Sequence, residues 1–251
     1  MDAGGNGIAL EARGLRKAFG GVQAVDGCSF AVPRGKISGL IGPNGSGKTT
    51  TFNLLTGLAQ PDGGDILYKG ENLAGLKPYE VFRRGITRTF QVTRIFREMT
   101  VLENMLSVTG LGIPDREARA RAEELIAFVN LTHLRGEYGG RLSYGQQKLL
   151  EFARALMTRP DLILLDEPAA GVNRTLLQQL LAQIHRLQEA GTTILIVEHD
   201  MNVIMNHCDW IFVMDYGVKI AEGPPAAIQG DARVIEAYFG RRRARADHAA
   251  G

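Results

Sequence analysis

Cysteine is nearly absent: Cys28 and Cys208 are the two in a chain of 251 residues. Their separation matches neither the close spacing of a metal site nor the dense pattern of a secreted disulfide scaffold, so a reducing compartment is expected. Long hydrophobic runs are missing as well. No uninterrupted apolar stretch approaches the ~20 residues that a membrane-crossing helix needs, so any bilayer crossing connected with this chain is expected from another polypeptide. Met1 to Gly7 is small, polar and Gly-rich, unlike a basic-then-apolar secretory leader, and is expected to fray. Charge of one sign is lacking too. With 29 Lys and Arg against 27 Asp and Glu the net charge is +2, too little to make nucleic acid the main partner.

What is present suffices for a packed interior. A hydrophobic fraction of 45% and a charged fraction of 22% are ordinary for a globular chain that buries a core without staples. At this length an α/β body is expected, either as one unit or as a core with an inserted lobe. Ile37 to Ile41 reads as a short buried strand, followed by the Gly-rich Gly42 to Gly47 and a helix from Lys48 to about Leu55 that stops at Gly57. Short apolar pieces between Leu10 and Val32, and another between Gly63 and Gly70, suggest a small antiparallel sheet beside that unit.

The middle of the chain has a helical texture. Ala118, Ala122, Leu125, Ile126 and Val129 fall on one helical face, and Leu149, Leu150, Ala153, Leu156 and Met157 do so again. Leu162 to Leu165 then reads as a strand before Asp166. A helix with Leu177, Leu180, Leu181 and Ile184 on one face ends near Gly191, and Thr192 to Val197 is the next strand. Strands alternating with helices predict a mostly parallel sheet, here interrupted by a helical insertion.

Three motifs carry chemistry. Gly42, Pro43, Asn44, Gly45, Ser46, Gly47, Lys48 and Thr49 satisfy G-x-x-x-x-G-K-[ST] between a strand and a helix, with Thr50 next in the helix. Such a loop turns backbone N–H groups toward phosphate oxygens at a helix N-terminus, Lys48 reaches the β- and γ-phosphates, and Thr49 ligates Mg²⁺. The apolar strand ending in Asp166 and Glu167 adds a hydrolase pattern: Asp166 holds Mg²⁺ through water, and Glu167 polarises a water for attack on the γ-phosphate. Leu142-Ser143-Tyr144-Gly145-Gln146-Gln147 opens the helix that bears Leu149 to Met157. Ser143 reads equally as a plain helix cap and as part of a second anion-binding N-terminus.

This last hexapeptide, shortly before the Asp166 strand, resembles the LSGGQ signature of ABC ATPases. The resemblance implies an α/β P-loop NTPase (RecA-like) with a mostly parallel sheet, a flanking antiparallel β-subdomain and an inserted helical subdomain. The unit is expected over 8–240, with a core of about 8–91 and 158–240, an insertion of about 92–157, and a basic tail, 241–251, expected to be flexible. In that family ATP is sandwiched between the cradle of one subunit and the signature of another, which would set Ser143, Gly145 and Gln146 against the partner's nucleotide. Gln91 resembles the glutamine that senses Mg²⁺ and the γ-phosphate, His199 the switch histidine that steadies the base, and Phe19 the aromatic that stacks on adenine. Glu167, His199, Lys48 and Gln91 are thus the expected catalytic set, and Thr49, Gln91 and Asp166 the expected metal set.

Two positions depart from the general pattern: Tyr144 replaces the first glycine of the signature pair, and Asn173 stands where an aspartate usually follows the base. Together with Arg88-Thr89-Phe90-Gln91, Asp166 to Asn173 and the ending Tyr238-Phe239-Gly240, these variants resemble the ATPase subunits of branched-chain amino-acid importers. That likeness implies a dimer with a second copy or a related ATPase, integral membrane permease subunits, an indirectly coupled substrate-binding protein, and a place on the cytoplasmic face of the cell membrane. Ile95, Phe96, Met99, Val101, Leu102 and Met105 would suit a groove for a permease helix or the lobe's own core. Arg241, Arg242, Arg243 and Arg245 read as a solvated tail or a contact for anionic headgroups. A lipid or polysaccharide exporter and a soluble ABC ATPase remain alternatives. A P-loop kinase or GTPase fits poorly, since neither carries the signature at Ser143.

Overall fold

The computed structural model describes residues 7–89, 93–108 and 114–240. Gln91 and the 241–251 tail lie outside the described residues, and so does the side chain of Phe239. The elements in chain order are β1 (Ile8–Phe19), β2 (Val22–Pro33), β3 (Ile37–Ile41), α1 (Lys48–Leu55), β4 (Gly63–Tyr68), β5 (Glu71–Asn72), α2 (Pro78–Arg83), β6 (Ile86–Arg88) and α3 (Val101–Leu106). They continue with α4 (Asp115–Phe128), α5 (Tyr144–Ala155), β7 (Leu162–Asp166), α6 (Arg174–Glu189), β8 (Thr193–Val197), α7 (Met201–His207), β9 (Trp210–Asp215), β10 (Val218–Gly223), α8 (Pro225–Gln229) and α9 (Ala232–Ile235).

Two sheets result. The antiparallel one runs β2-β1-β4-β5, and the larger one runs β10-β9-β3-β8-β7-β6, parallel except for the β9–β10 hairpin. Every residue of β3, β7 and β8 is buried, as expected of central strands covered on both faces. Their side chains alternate between two cores. Leu162 and Leu164 join Leu195, Val197, Phe30 and Phe52 beneath the antiparallel sheet, whereas Ile163 and Leu165 join Ile194, Ile196 and the helices α3, α4 and α5 on the other face. The inserted helices therefore pack directly on the parallel sheet.

The register brings the chemistry to one edge. Asp166 pairs with Val197, Leu40 with Val197, and Arg88 with Leu164, so the C-terminal ends of β3, β6, β7 and β8 open on the same side. Parallel α/β sheets bind their ligands at that edge, where strands hand over to helix N-termini.

The two periodic stretches of the insertion are the helices α4 and α5. Among the described residues between 93 and 143, α3 and α4 alternate with turns and two short 3-10 segments, Thr132–Leu134 and Gly139–Arg141, and a bridge ties Thr100 to Tyr138. A fully buried Asn104 braces the segment ahead of α3: its amide donates to the carbonyls of Phe96, Met99 and Thr100 while its oxygen accepts from Phe96 N–H. One side chain thus satisfies backbone groups that a helix would otherwise pair internally. Of the six apolar residues read as groove or core, Val101 and Met105 are fully buried, Ile95 and Leu102 are partly buried against the core, and Phe96 and Met99 are exposed.

Candidate nucleotide site

The loop between β3 and α1 owes its shape to its glycines. Gly47 caps α1 at φ 100°, where a Cβ would meet the carbonyl oxygen of Ala24 at 2.4 Å, and Gly45 stands at φ 80° with nothing within 4 Å of a Cβ. No side chain caps α1, and its first turn carries no acid, so its end N–H groups remain a positive pole. Buried Lys48 folds back over the loop and donates to the carbonyls of Gly42 and Pro43, each at 2.9 Å. Thr49 is exposed beside it. Phe19, at the end of β1, is 53% exposed, which excludes a core-packing role, and Lys17 lies 5.5 Å from its ring centroid.

β7 delivers the two acids differently. Asp166 is buried, and its Oδ2 accepts from Arg88 at 2.6 Å in an ion pair whose side chains are only 7% and 6% exposed. Arg88 also reaches Asn53 in α1 at 2.6 Å, so one guanidinium joins β6, β7 and α1. In the sequence Arg88 stands out only as part of the Arg88-Thr89-Phe90-Gln91 stretch. Its pairing across the sheet edge arises from the β6–β7 register, which has no local signal.

Glu167 follows with φ +48°, a left-handed backbone that costs a non-glycine residue on the order of 1–3 kcal/mol. Its N–H donates to Val197 O at 2.9 Å. Its Oε1 lies 2.5 Å from His199 Nε2, and because a carboxylate only accepts, the imidazole carries the hydrogen. The strands β7 and β8 thereby bring together two residues 32 apart in sequence.

The signature helix α5 begins with a reciprocal cap: Ser143 Oγ accepts from Gln146 N–H at 3.3 Å, and Gln146 Oε1 accepts from Ser143 N–H at 2.9 Å. Gly145 packs so tightly that a Cβ would lie 2.1 Å from Leu176 in α6. Tyr144 lies against Gly171, where a Cβ would come within 2.7 Å of its ring. The larger residue at 144 is thus accommodated by a glycine, φ 72°, in the loop after the base. Asn173 caps α6 by accepting from Leu176 N–H at 2.9 Å, a job that an aspartate would do equally well.

Further residues join the site: Tyr238, met in the sequence only within the family ending, and Lys148 and Glu198, which the sequence did not single out. Burial pushes the Tyr238 hydroxyl up to about 12, and the neighbouring backbone of Gly42 in the loop works against that shift. Lys148 in α5 and Glu198 at the end of β8 both contact the loop after β7. The adjacency of Glu198 to His199 was the one available clue. Among the described residues, no three His, Cys, Asp or Glu side chains gather as a metal cage.

This arrangement has known counterparts. The ABC transporter family model matches residues 25–170. The chain belongs to that family. A second model, branched-chain amino acid ATP-binding cassette transporter, matches residues 218–244 of this ABC ATPase. It is 42% identical over 248 residues to the high-affinity branched-chain amino acid transport ATP-binding protein BraF of Pseudomonas aeruginosa, covering 92% of this chain and 97% of the relative. The corresponding LivG protein of Escherichia coli is 40% identical over the same shares. Among solved structures, the ADP conformation of an ATP-binding cassette of an ABC transporter superposes with a TM-score of 0.84 at 35% identity, over 93% of this chain and 99% of the other. The ABC ATPase described here is therefore a nucleotide-binding, ATP-hydrolysing subunit with the P-loop fold. Among the described residues, no helix is long and apolar enough to cross a membrane.

Proposed function

We propose that this ABC ATPase energises the import of branched-chain or related amino acids, hydrolysing Mg²⁺-ATP at sites shared between two ATPase subunits. The observation that carries the catalytic reading is the 2.5 Å contact between His199 and Glu167 beside the phosphate loop. ATP binds with its adenine on Phe19 and its phosphates in the cradle of Gly42 to Thr50. Lys48 exchanges its two loop carbonyls for β- and γ-phosphate oxygens. Thr49, Gln91 and, through water, Asp166 would hold Mg²⁺, which would neutralise charge on the phosphates when bound. Glu167 accepts a hydrogen bond from the attacking water, and His199 holds the carboxylate in place. Ser143, Gly145 and Gln146 complete the site of the partner subunit, a second copy or a related ATPase.

The unit comprises 8–240, with the insertion at about 92–157 carried on the core. Integral permeases dock on it from the cytoplasmic face of the cell membrane, and a substrate-binding protein acts through them. An apolar groove of about 320 Å³ between the end of α1 and α2 suits a permease segment. Leu58 and Tyr79 are exposed on it, and its wall includes Arg88, the partner of Asp166. The amino-acid cargo rests on the two relatives and on the match at residues 218–244.

Replacing Glu167 by Gln should keep ATP binding and lower turnover by about 10²- to 10⁴-fold, the usual worth of a general base. Steady-state hydrolysis alongside nucleotide binding checks this, and near-normal turnover would remove Glu167 from the role. Uptake by the reconstituted transporter, competed with leucine, isoleucine and valine, checks the cargo.

A further inference from the structure

We infer that Lys148 and Glu198 are positioning residues of the hydrolytic site, a buried ammonium and carboxylate that clamp the Glu167 loop between α5 and the end of β8 of the same chain. The inference rests on Glu167 being the base of the proposed reaction. Lys148 is 7% exposed, and its Nζ donates to the carbonyl oxygen of Glu167 at 2.8 Å. The N–H of Glu167 is meanwhile tied to Val197 in β8, so both sides of this left-handed residue are held by separate elements. Glu198, 3% exposed, accepts from Ala169 N–H at 2.6 Å with one oxygen and from His199 N–H at 3.0 Å and Asp200 N–H at 3.4 Å with the other. One carboxylate therefore sets the loop after the base and the backbone of the switch histidine relative to each other.

The charges are arranged to keep the ammonium there. Burial holds the Lys148 pKa below the ordinary lysine value, and Glu198, Glu151, Glu167 and Asp166 oppose that burial by favouring the charged form. Its Nζ also lies 5.6 Å from the ring centroid of Tyr144, the side chain packed on Gly171. Lys148 stands five residues after Ser143 on the same helix, so a displacement of α5 carries with it the group that holds Glu167. Each chain then links the signature it offers to its partner's nucleotide with the base it applies to its own. A left-handed glutamate released from this clamp would relax toward ordinary backbone angles and move its carboxylate away from the attacking water.

The test compares full-length wild type with Lys148→Met and Glu198→Gln, measuring steady-state ATP hydrolysis, binding of a fluorescent ATP analogue and the melting midpoint. Either variant is expected to lose about 10- to 100-fold in kcat, the scale of a small misplacement of a reacting group, with KM and analogue affinity within about twofold. A turnover within twofold of wild type in both variants overturns the inference. So does a loss of turnover that only follows weakened nucleotide binding, which would mark a general structural role. If Lys148→Met does not fold, Glu198→Gln carries the same expectation and the same overturning results. Failure of the underlying reading shows separately, as near-normal turnover by Glu167→Gln. In that case a kcat loss in Lys148→Met overturns the clamp as well, because the ammonium would be acting on something other than Glu167.

Discussion

At the residue scale, the side chains with the least freedom are those whose backbone or charge needs a neighbour from another element. Asp166 is the clearest case, because burial of a carboxylate is tolerable only with a partner, and Arg88 supplies it at 2.6 Å. Replacing Arg88 by Met would leave the carboxylate buried and uncompensated. A loss of about 3–5 kcal/mol is expected, the range for breaking one side of a buried pair, read from the urea midpoint at constant slope. Unchanged stability of Arg88→Met would show that the pair contributes nothing net to folding. Tyr144 and Gly171 make a second such pair, in which a bulky signature residue and a glycine fit each other.

At the element scale, α5 does more than fill the insertion. Its apolar side, Leu149, Leu150, Phe152 and Ala153, lies in the core shared with β7 and β8, while Gln147, Lys148, Glu151 and Arg154 tie it to the segment at Thr93 and Arg94 and to the loop after β7. Its N-terminus raises a question that capping alone answers only in part. Ser143 both caps the helix and, in the proposed function, meets a phosphate. The substitution Ser143→Asn separates these, because Asn caps as well as Ser. Stability should stay within about 0.5 kcal/mol, as expected when one good cap replaces another, while turnover falls. Unfolding curves and ATPase rates on the same preparation check it, and unchanged turnover would leave Ser143 a cap alone.

At the scale of the whole molecule, two cores on opposite faces of one parallel sheet set the chemistry at its C-terminal edge. Both thiols are sealed inside these cores. Burial pushes Cys28 up to about 11 and Cys208 up to about 12. The unfolded chain releases these protons near the ordinary value of 9.0, so above that pH the folded state binds more protons than the unfolded one. Their contribution to stability is full below pH 9 and declines as pH rises through 11 to 12. A denaturant series across that range should show the decline. A thiol reagent at pH 8 should react with neither cysteine until the chain unfolds, and fast labelling of the native protein would contradict their sealing.

Local sequence by itself determined the phosphate loop, because G-x-x-x-x-G-K-[ST] between a strand and a helix encodes its own backbone shape. It also determined the strand 37–41, the helix 48–55 and the cap at Ser143, whose partner Gln146 lies three residues on. The strand pairing decided the rest. Arg88 meets Asp166 across 78 residues, His199 meets Glu167 across 32, and Lys148 reaches the carbonyl of Glu167 from another helix. Such contacts depend on register and packing between elements, and no periodicity within one element carries that information. The left-handed backbone of Glu167 belongs to the same class: nothing local favours it in a glutamate, and it persists because β8 and α5 hold it from both sides.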